Sequence, residues 1–441
     1  MTGIEAALDR RFLLAERGTG VGREALAGLT SFLAAAYLIV VIPSLLAQAG
    51  IDRGGATTAA ILLIAGGSIA MGLYANLPFL VGPGIGGSAL IGVTLAQVEH
   101  IDWPAGLGIA LFSGLLFVVL TLSGARGIVV RIIPTPIKLG LGASIGLFIA
   151  MLGCRDAGMI AVNAKTNALA LGNFALPGPI MALTGLGVAL AMQARRLPGA
   201  ILAGIAAAAV LGVPLGVTKL AGSPLALPHS LAPVALHLDP VAALRVSALP
   251  YLFAFFAAEF FSTLGTTLAI GGKAGLTDAD GDLPGIQRPF LVDAVSASIG
   301  PLIGIPAATA LVESAAGVEA GGRTGLTPIV AAGLFLLTLA AVPLAMAIPR
   351  QATAPALILI GVSLPSTIRG LPGDEPTALF APIAMVLTTL IANSFGTGIA
   401  AGTLLYVVIE LLAGRGRTLH PGLVAMAVPL GYYLYVAATP H

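Results

Sequence analysis

Charge is what this sequence has least of. Asp, Glu, Lys and Arg make up 9% of its 441 residues, against roughly 25% in a soluble protein. Such a chain cannot cover a globular surface with charge. With 57% hydrophobic residues and a mean hydropathy of +1.02, it belongs in lipid. A single cysteine, Cys154, excludes an intramolecular disulfide framework and any multi-cysteine metal site. Five scattered histidines give no HExxH and no paired-ligand spacing, so no metal and no cofactor is expected. A net charge of +2 gives no reason to expect a nucleic-acid partner. No Walker A sequence occurs, which argues against an enzyme. The N-terminal residues 1–24 have short apolar runs interrupted by charge, unlike a signal peptide, and read as a cytoplasmic leader.

What is present is a succession of apolar runs. A spanning helix needs about 20 mostly apolar residues. Candidates fall near 25–48, 57–75, 80–97, 105–124, 136–153, 172–193 and 198–218. After a Pro/His-rich external loop, a second set falls near 247–270, 289–304, 306–319, 327–347, 352–366, 378–395, 397–412 and 421–438. The expectation is an all-α polytopic membrane protein of about 14 spans, crowded after residue 350. Arg10, Arg11, Arg17 and Arg23, then Arg126 and Arg131, Arg195 and Arg196, Lys273 and Arg288, and Arg323 fall on one side if the spans alternate. The positive-inside rule makes that side, and the N-terminus, cytoplasmic in the cell inner (plasma) membrane.

Two spans are short and broken. One contains "LPFLVGPGIGGSALIG", the other is "GIPAATALVESAAGVE". Gly82, Gly84 and Gly87 satisfy G-x-G-x-x-G, but no βαβ unit surrounds them and Pro83 lies inside, so a dinucleotide site is excluded. Matching broken segments in two halves point to a transporter of inverted repeats. An unwound segment frees backbone N–H and C=O groups at mid-membrane, tolerable only where they line an enclosed cavity. The alternative use of such glycines is close helix packing.

Intramembrane carboxyls mark the rest of the site. Glu259 is the only ionisable residue of "PYLFAFFAAEFFSTLGTTLA". A charge at mid-span costs about 2.5–3.5 kcal/mol on insertion scales. Glu259 therefore faces the protein interior or sits protonated, and is a candidate proton carrier. Ser262, Thr263 and Thr266 share its helix face. Glu313 sits in the second broken segment, with Thr309 one turn before it. Asp293, at the start of its span, reads as a first-turn acid stabilising a helix N-terminus.

These features come in an order that resembles the nucleobase/cation symporter-2 (NCS2) family, in its azaguanine-like hypoxanthine/guanine permease branch, from about Glu24 to the C-terminus. The most specific block is "VESAAGVEAGGRTGL" (312–326), with "FFSTLGTTLAIGGKAGLTDADGDLPGIQRPFLVDAVSASIG" (260–300), "AGLTSFLAAAYLIVVIPSLL" (27–46), "IKLGLGASIGLFIA" (137–150) and "ATAPALILIGV" (352–362) beside it. The resemblance implies two inverted seven-span repeats with UraA-like core and gate domains. The core takes residues 25–153 (spans 1–4, running into span 5) and 247–347 (spans 8–11). The gate takes 154–246, including the external loop 219–246, and 348–441 (spans 12–14). Short extended strands are implied in spans 3 and 10 beside the substrate, with homodimers and proton-coupled import of a purine nucleobase by alternating access.

By position, Glu313 matches the family's span-10 glutamate. Elsewhere this chain departs from the branch. Ser262 stands where an acid is usual, in "EFFSTLGT". Ser88 replaces an Asn, in "GIGGSA". Ile42 replaces the Asn before Pro43, and a Ser/Thr-rich run has become "IPAATA". The expected substrate contacts are Glu313, Ser262, Glu259, Thr266, Thr309, Val312, Gly86, Gly87 and Ser88, with Glu259 and Glu313 as proton-coupling residues. The expected partners are a small nucleobase-like solute and membrane lipid. The alternative reading is the same scaffold carrying a different small solute or anion, uncoupled or differently coupled.

Overall fold

The computed structural model describes residues 3–124, 132–162, 169–219, 223, 225–245, 248–278, 283–363 and 376–438. Arg126, Arg131 and residues 279–282 of the acidic run lie outside these. The chain opens with α1 (Gly3–Phe12), then α2 (Val21–Ala35) and α3 (Leu38–Leu46). These two halves of the first span part at Ala36–Tyr37, and Pro43 within α3 removes one more N–H donor. Next come α4 (Arg53–Ala70), β1 (Val81–Pro83), α5 (Ile85–Ala89, continued as a π-helix over Leu90–Val98) and α6 (Trp103–Leu122). The helix α7 (Thr135–Asp156) leads to a small hairpin, β2 (Ile160–Val162) and β3 (Leu169–Leu171), followed by α8 (Pro177–Ala194) and α9 (Ala200–Gly212).

The second half repeats the pattern. It holds α10 (Leu249–Lys273), α11 (Gln287–Leu302), β4 (Ala308–Ala310), α12 (Ser314–Glu319), α13 (Leu326–Leu337) and α14 (Val342–Ala347). Then follow α15 (Arg350–Ser363), α16 (Pro376–Ala392), α17 (Phe395–Leu412) and α18 (Pro421–Ala438). The crowded stretch after residue 350 thus resolves into four helices, the last running back beside α17. Eight described helices are long and apolar enough to cross a membrane. The chain is a multi-pass, all-α membrane protein; among the described residues its strands are the pair β1 and β4 at the helix breaks and the hairpin β2–β3.

The helices pack in two groups. α2, α4, α6, α11 and α13 pack on one another around the strands; α7, α8, α9, α15, α16 and α17 pack among themselves. α10 stands between, touching β4 and α6 on one side and α17 and α18 on the other. The stretch 225–245 is tied by its backbone to the strand-bearing group. Ala226 N–H donates to Ala340 (3.0 Å), Leu236 to Leu302 (2.8 Å) and Asp239 to Pro104 (2.8 Å).

The face bearing α1 is closed by buried polar contacts. The Glu24 carboxylate, fully buried, accepts from Arg323 N–H (2.9 Å) and from the Thr327 hydroxyl (2.6 Å), where α13 begins. A carboxylate there meets the N–H groups a helix start leaves unpaired. Asn76 accepts from Gly325 N–H (2.8 Å), and the Arg17 guanidinium donates to the carbonyls of Asn76 and Arg323. The leader is therefore locked to this face, with Phe12 and Leu14 packed on Leu326.

Candidate substrate site at the crossing of two broken segments

The two broken segments meet. β1 and β4 pair antiparallel, Val81 opposite Ala310, Gly82 opposite Thr309 and Pro83 opposite Ala308. Segments more than two hundred residues apart thus satisfy each other's backbone inside an apolar body, where an unpaired peptide group is costly. Leu311 N–H donates to Leu80 (2.9 Å), and Ser314 Oγ accepts from Leu80 N–H (2.9 Å) while donating to Leu311 (2.6 Å). Ser68 Oγ accepts from Val81 N–H (3.1 Å).

Four polar side chains line up behind this pair. Thr263 on α10 donates to the Asp293 carboxylate on α11. Thr263 Oγ1 lies 3.0 Å from Thr309 Oγ1 on β4. Thr309 and the Glu259 carboxyl both flank Gly84: a Cβ there would stand 3.1 Å from Glu259 Oε1 and 3.6 Å from the Thr309 methyl. Since the Thr263 proton goes to Asp293, its oxygen accepts from Thr309. All four side chains are buried. One oxygen of Glu259 and one of Asp293 have no hydrogen-bond partner. Among the described residues neither acid forms an ion pair. Two buried carboxylates without a cation are costly in an apolar body, and protonating one of them removes a charge.

Asp293 is thus not the first-turn acid that the sequence suggests. α11 begins at Gln287, and Asp293 sits a turn and a half inside it, fully buried against Thr263. Glu313 lies just before α12, where its carboxylate accepts from the Tyr37 hydroxyl at the break between α2 and α3. Arg323 bonds the Val318 and Gly322 carbonyls instead of Glu313.

The remaining expected contacts surround the line unequally. Gly84 precedes α5, and a Cβ there would stand 3.1 Å from Glu259 Oε1, so the bare backbone lets the carboxyl approach. Gly87 faces Phe255, Pro306 and Glu259, and Gly86 faces Ile145 of α7. Ser88 is buried and donates to Gly84 C=O (3.0 Å), so its proton is spent on its own helix. Thr266 is buried two turns below Glu259, Ser262 is half-buried, and Val312 is 57% exposed. Sequence reasoning did not single out Tyr37, and it placed Thr263 on the polar stripe without a partner.

A strand pair at the crossing of two broken segments, lined by buried acids, is the architecture of a polytopic transporter. The fold agrees with the transmembrane domain of a cyanobacterium bicarbonate transporter, BicA, at a TM-score of 0.64 and 15% identity, over 84% of this chain and 96% of that one. Residues 22–372 match the permease family of xanthine and uracil permeases. The chain belongs to that family, the nucleobase/cation symporter-2 family. It is 34% identical over 432 residues to the guanine/hypoxanthine permease GhxP of Escherichia coli O157:H7, covering 96% of each chain. It is 32% identical over 427 residues to the adenine permease AdeP of Escherichia coli K12, covering 97% of this chain and 96% of that one.

Proposed function

We infer that the protein imports a purine nucleobase, or a similar small planar heterocycle, by proton symport across the plasma membrane, with its N-terminus in the cytoplasm. The observation that carries this reading is that Asp293 is joined through Thr263 to Thr309 on β4, beside Glu259 and the strand pair where the solute would sit. A nucleobase offers ring N–H groups to Glu313 and edges for the backbone of Gly84–Gly87 and Ala308–Val312. The solute and the proton act at one place, so binding one changes the charge met by the other. Transport then follows from movement of the strand-bearing helices against the flanking group around a fixed site. Relatives named for guanine, hypoxanthine and adenine support the substrate class.

The anion alternative is disfavoured by the charge at the site. Glu259, Asp293 and Glu313 all border the strand pair, and among the described residues no cation is ion-paired with them. Uptake of radiolabelled guanine, hypoxanthine, adenine, xanthine and uracil into expressing cells, with and without a protonophore, tests the reading. Uptake of at least one base, abolished by the protonophore, is expected. Failure to take up any of them overturns the substrate class, and normal uptake by Glu313→Gln overturns the site.

A further inference from the structure

Far from the strand pair, a second polar cluster joins the two helix groups. Glu99 closes the π-helical continuation of α5. Its Oε1 accepts from the Ser394 hydroxyl (2.9 Å) and the Tyr433 hydroxyl (3.0 Å). The hydroxyls of Tyr433 and Tyr251 lie 2.6 Å apart, and Thr397 Oγ1 is 3.2 Å from Tyr433. Because Tyr433 gives its proton to Glu99, Tyr251 must donate to Tyr433. The chain of donors therefore runs in one direction and ends on a carboxylate, the arrangement in which hydrogen bonds reinforce one another.

The cluster spans a seam. Glu99 follows α5 and Tyr251 is on α10, the elements that build the site; Ser394 and Thr397 begin α17, and Tyr433 is on α18. The first turn of α17 closes on the Tyr251 ring through Gly396, where a Cβ would stand 2.5 Å from the ring. The two tyrosine rings meet edge to face at 5.7 Å. Below them the seam is loosely filled. An apolar cavity of about 290 Å³ separates Leu252 and Phe256 of α10 from Met426 and Leu430 of α18. On this side of the site Tyr251, Phe255, Phe395 and Ile399 are buried, whereas Gly265, Ala269 and Val312, toward the face bearing α1, are exposed.

We propose that Glu99, Ser394, Tyr433 and Tyr251 form a clasp that shuts the solute path on the face opposite the leader and must open on every transport cycle. The inference rests on the transporter reading above, but its first test needs no solute. Phe395→Cys in a Cys154→Ser background places a thiol behind the clasp, and a membrane-impermeant maleimide added to whole cells probes it. Tyr433→Phe, Glu99→Ala and the milder Ser394→Ala are each expected to raise the labelling rate about fivefold or more, the scale of one lost buried hydrogen bond. Tyr432→Phe, at an exposed neighbour, leaves it unchanged. Labelling unaltered in all three clasp variants overturns the proposal. Bridging Glu99→Cys to Ser394→Cys, in the same Cys154→Ser background, with a short bis-methanethiosulfonate, which joins the thiols through two disulfides with loss of methanesulfinate, is expected to stop base uptake until a reductant is added. Undiminished uptake by the bridged protein overturns the clasp even where the substrate assignment holds.

Discussion

Thr263 ties Asp293 to Thr309: it donates to the Asp293 carboxylate, and its oxygen stands 3.0 Å from the Thr309 hydroxyl on β4. A buried acid of α11 is thereby linked to the strand pair through the helix that also carries Glu259. Thr263→Val keeps the shape and removes the hydroxyl, leaving Asp293 buried without its donor. One such orphaned group costs about 1–3 kcal/mol, roughly 5- to 150-fold in an equilibrium. Uptake in Thr263→Val is expected to fall within that range at normal membrane abundance, and Thr263→Ser to restore most of it.

Glu259→Gln keeps the volume but cannot release a proton at this place. Wild-type uptake is expected to rise as the external medium is acidified, because the inward proton gradient grows. The Gln variant is expected to lose that slope while still exchanging labelled for unlabelled base. Initial rates across an external pH series, with a counterflow assay, check both.

Gly84 lets Glu259 reach the start of α5. A Cβ at 3.1 Å from the carboxyl forces it to give way by a few tenths of an ångström, and a valine cannot be accommodated in that space. Gly84→Ala is expected to lower uptake and Gly84→Val to abolish it, both with normal amounts of protein in the membrane. Quantitative immunoblotting beside the uptake assay separates the two effects.

Glu24 meets three donors at the start of α13 with no exposure to solvent. Removing a charged acceptor from such a place costs about 1.5–3 kcal/mol. Glu24→Ala is expected to lower the thermal unfolding temperature of the detergent-solubilised protein without changing which base is carried. A ligand-free thermal shift assay checks the first and competition uptake the second.

Much of this architecture is legible in the residues themselves. Gly and Pro inside "VGPGIGG" and "GIPAATA" interrupt helices that hydropathy would otherwise continue, and both interruptions became strands. Glu259 and Glu313 stand out because a lone acid in an apolar run needs a reason. Partners across the fold are a different matter. Asp293 lies close enough to its helix start to pass for a cap, and only the packing of α11 on α10 reveals that it faces inward. Tyr37 is one aromatic in a long apolar run, and nothing nearby in sequence indicates that it meets a carboxyl 276 positions away. Ser88 illustrates the opposite effect. Expected as a substrate contact, it donates to its own helix four residues back, an option open to any helical serine, and keeps only its acceptor capacity for a solute.

If solute and proton move together past Glu259 and Asp293, an imposed proton gradient alone drives accumulation. The most direct test is hypoxanthine and adenine uptake into proteoliposomes of the purified protein, driven only by an imposed pH gradient, acid outside. Accumulation of at least one base above equilibrium is expected in the wild type, lost on adding a protonophore and absent in Thr263→Val. Equal uptake with and without the gradient, or gradient-driven accumulation undiminished in Thr263→Val, contradicts that coupling.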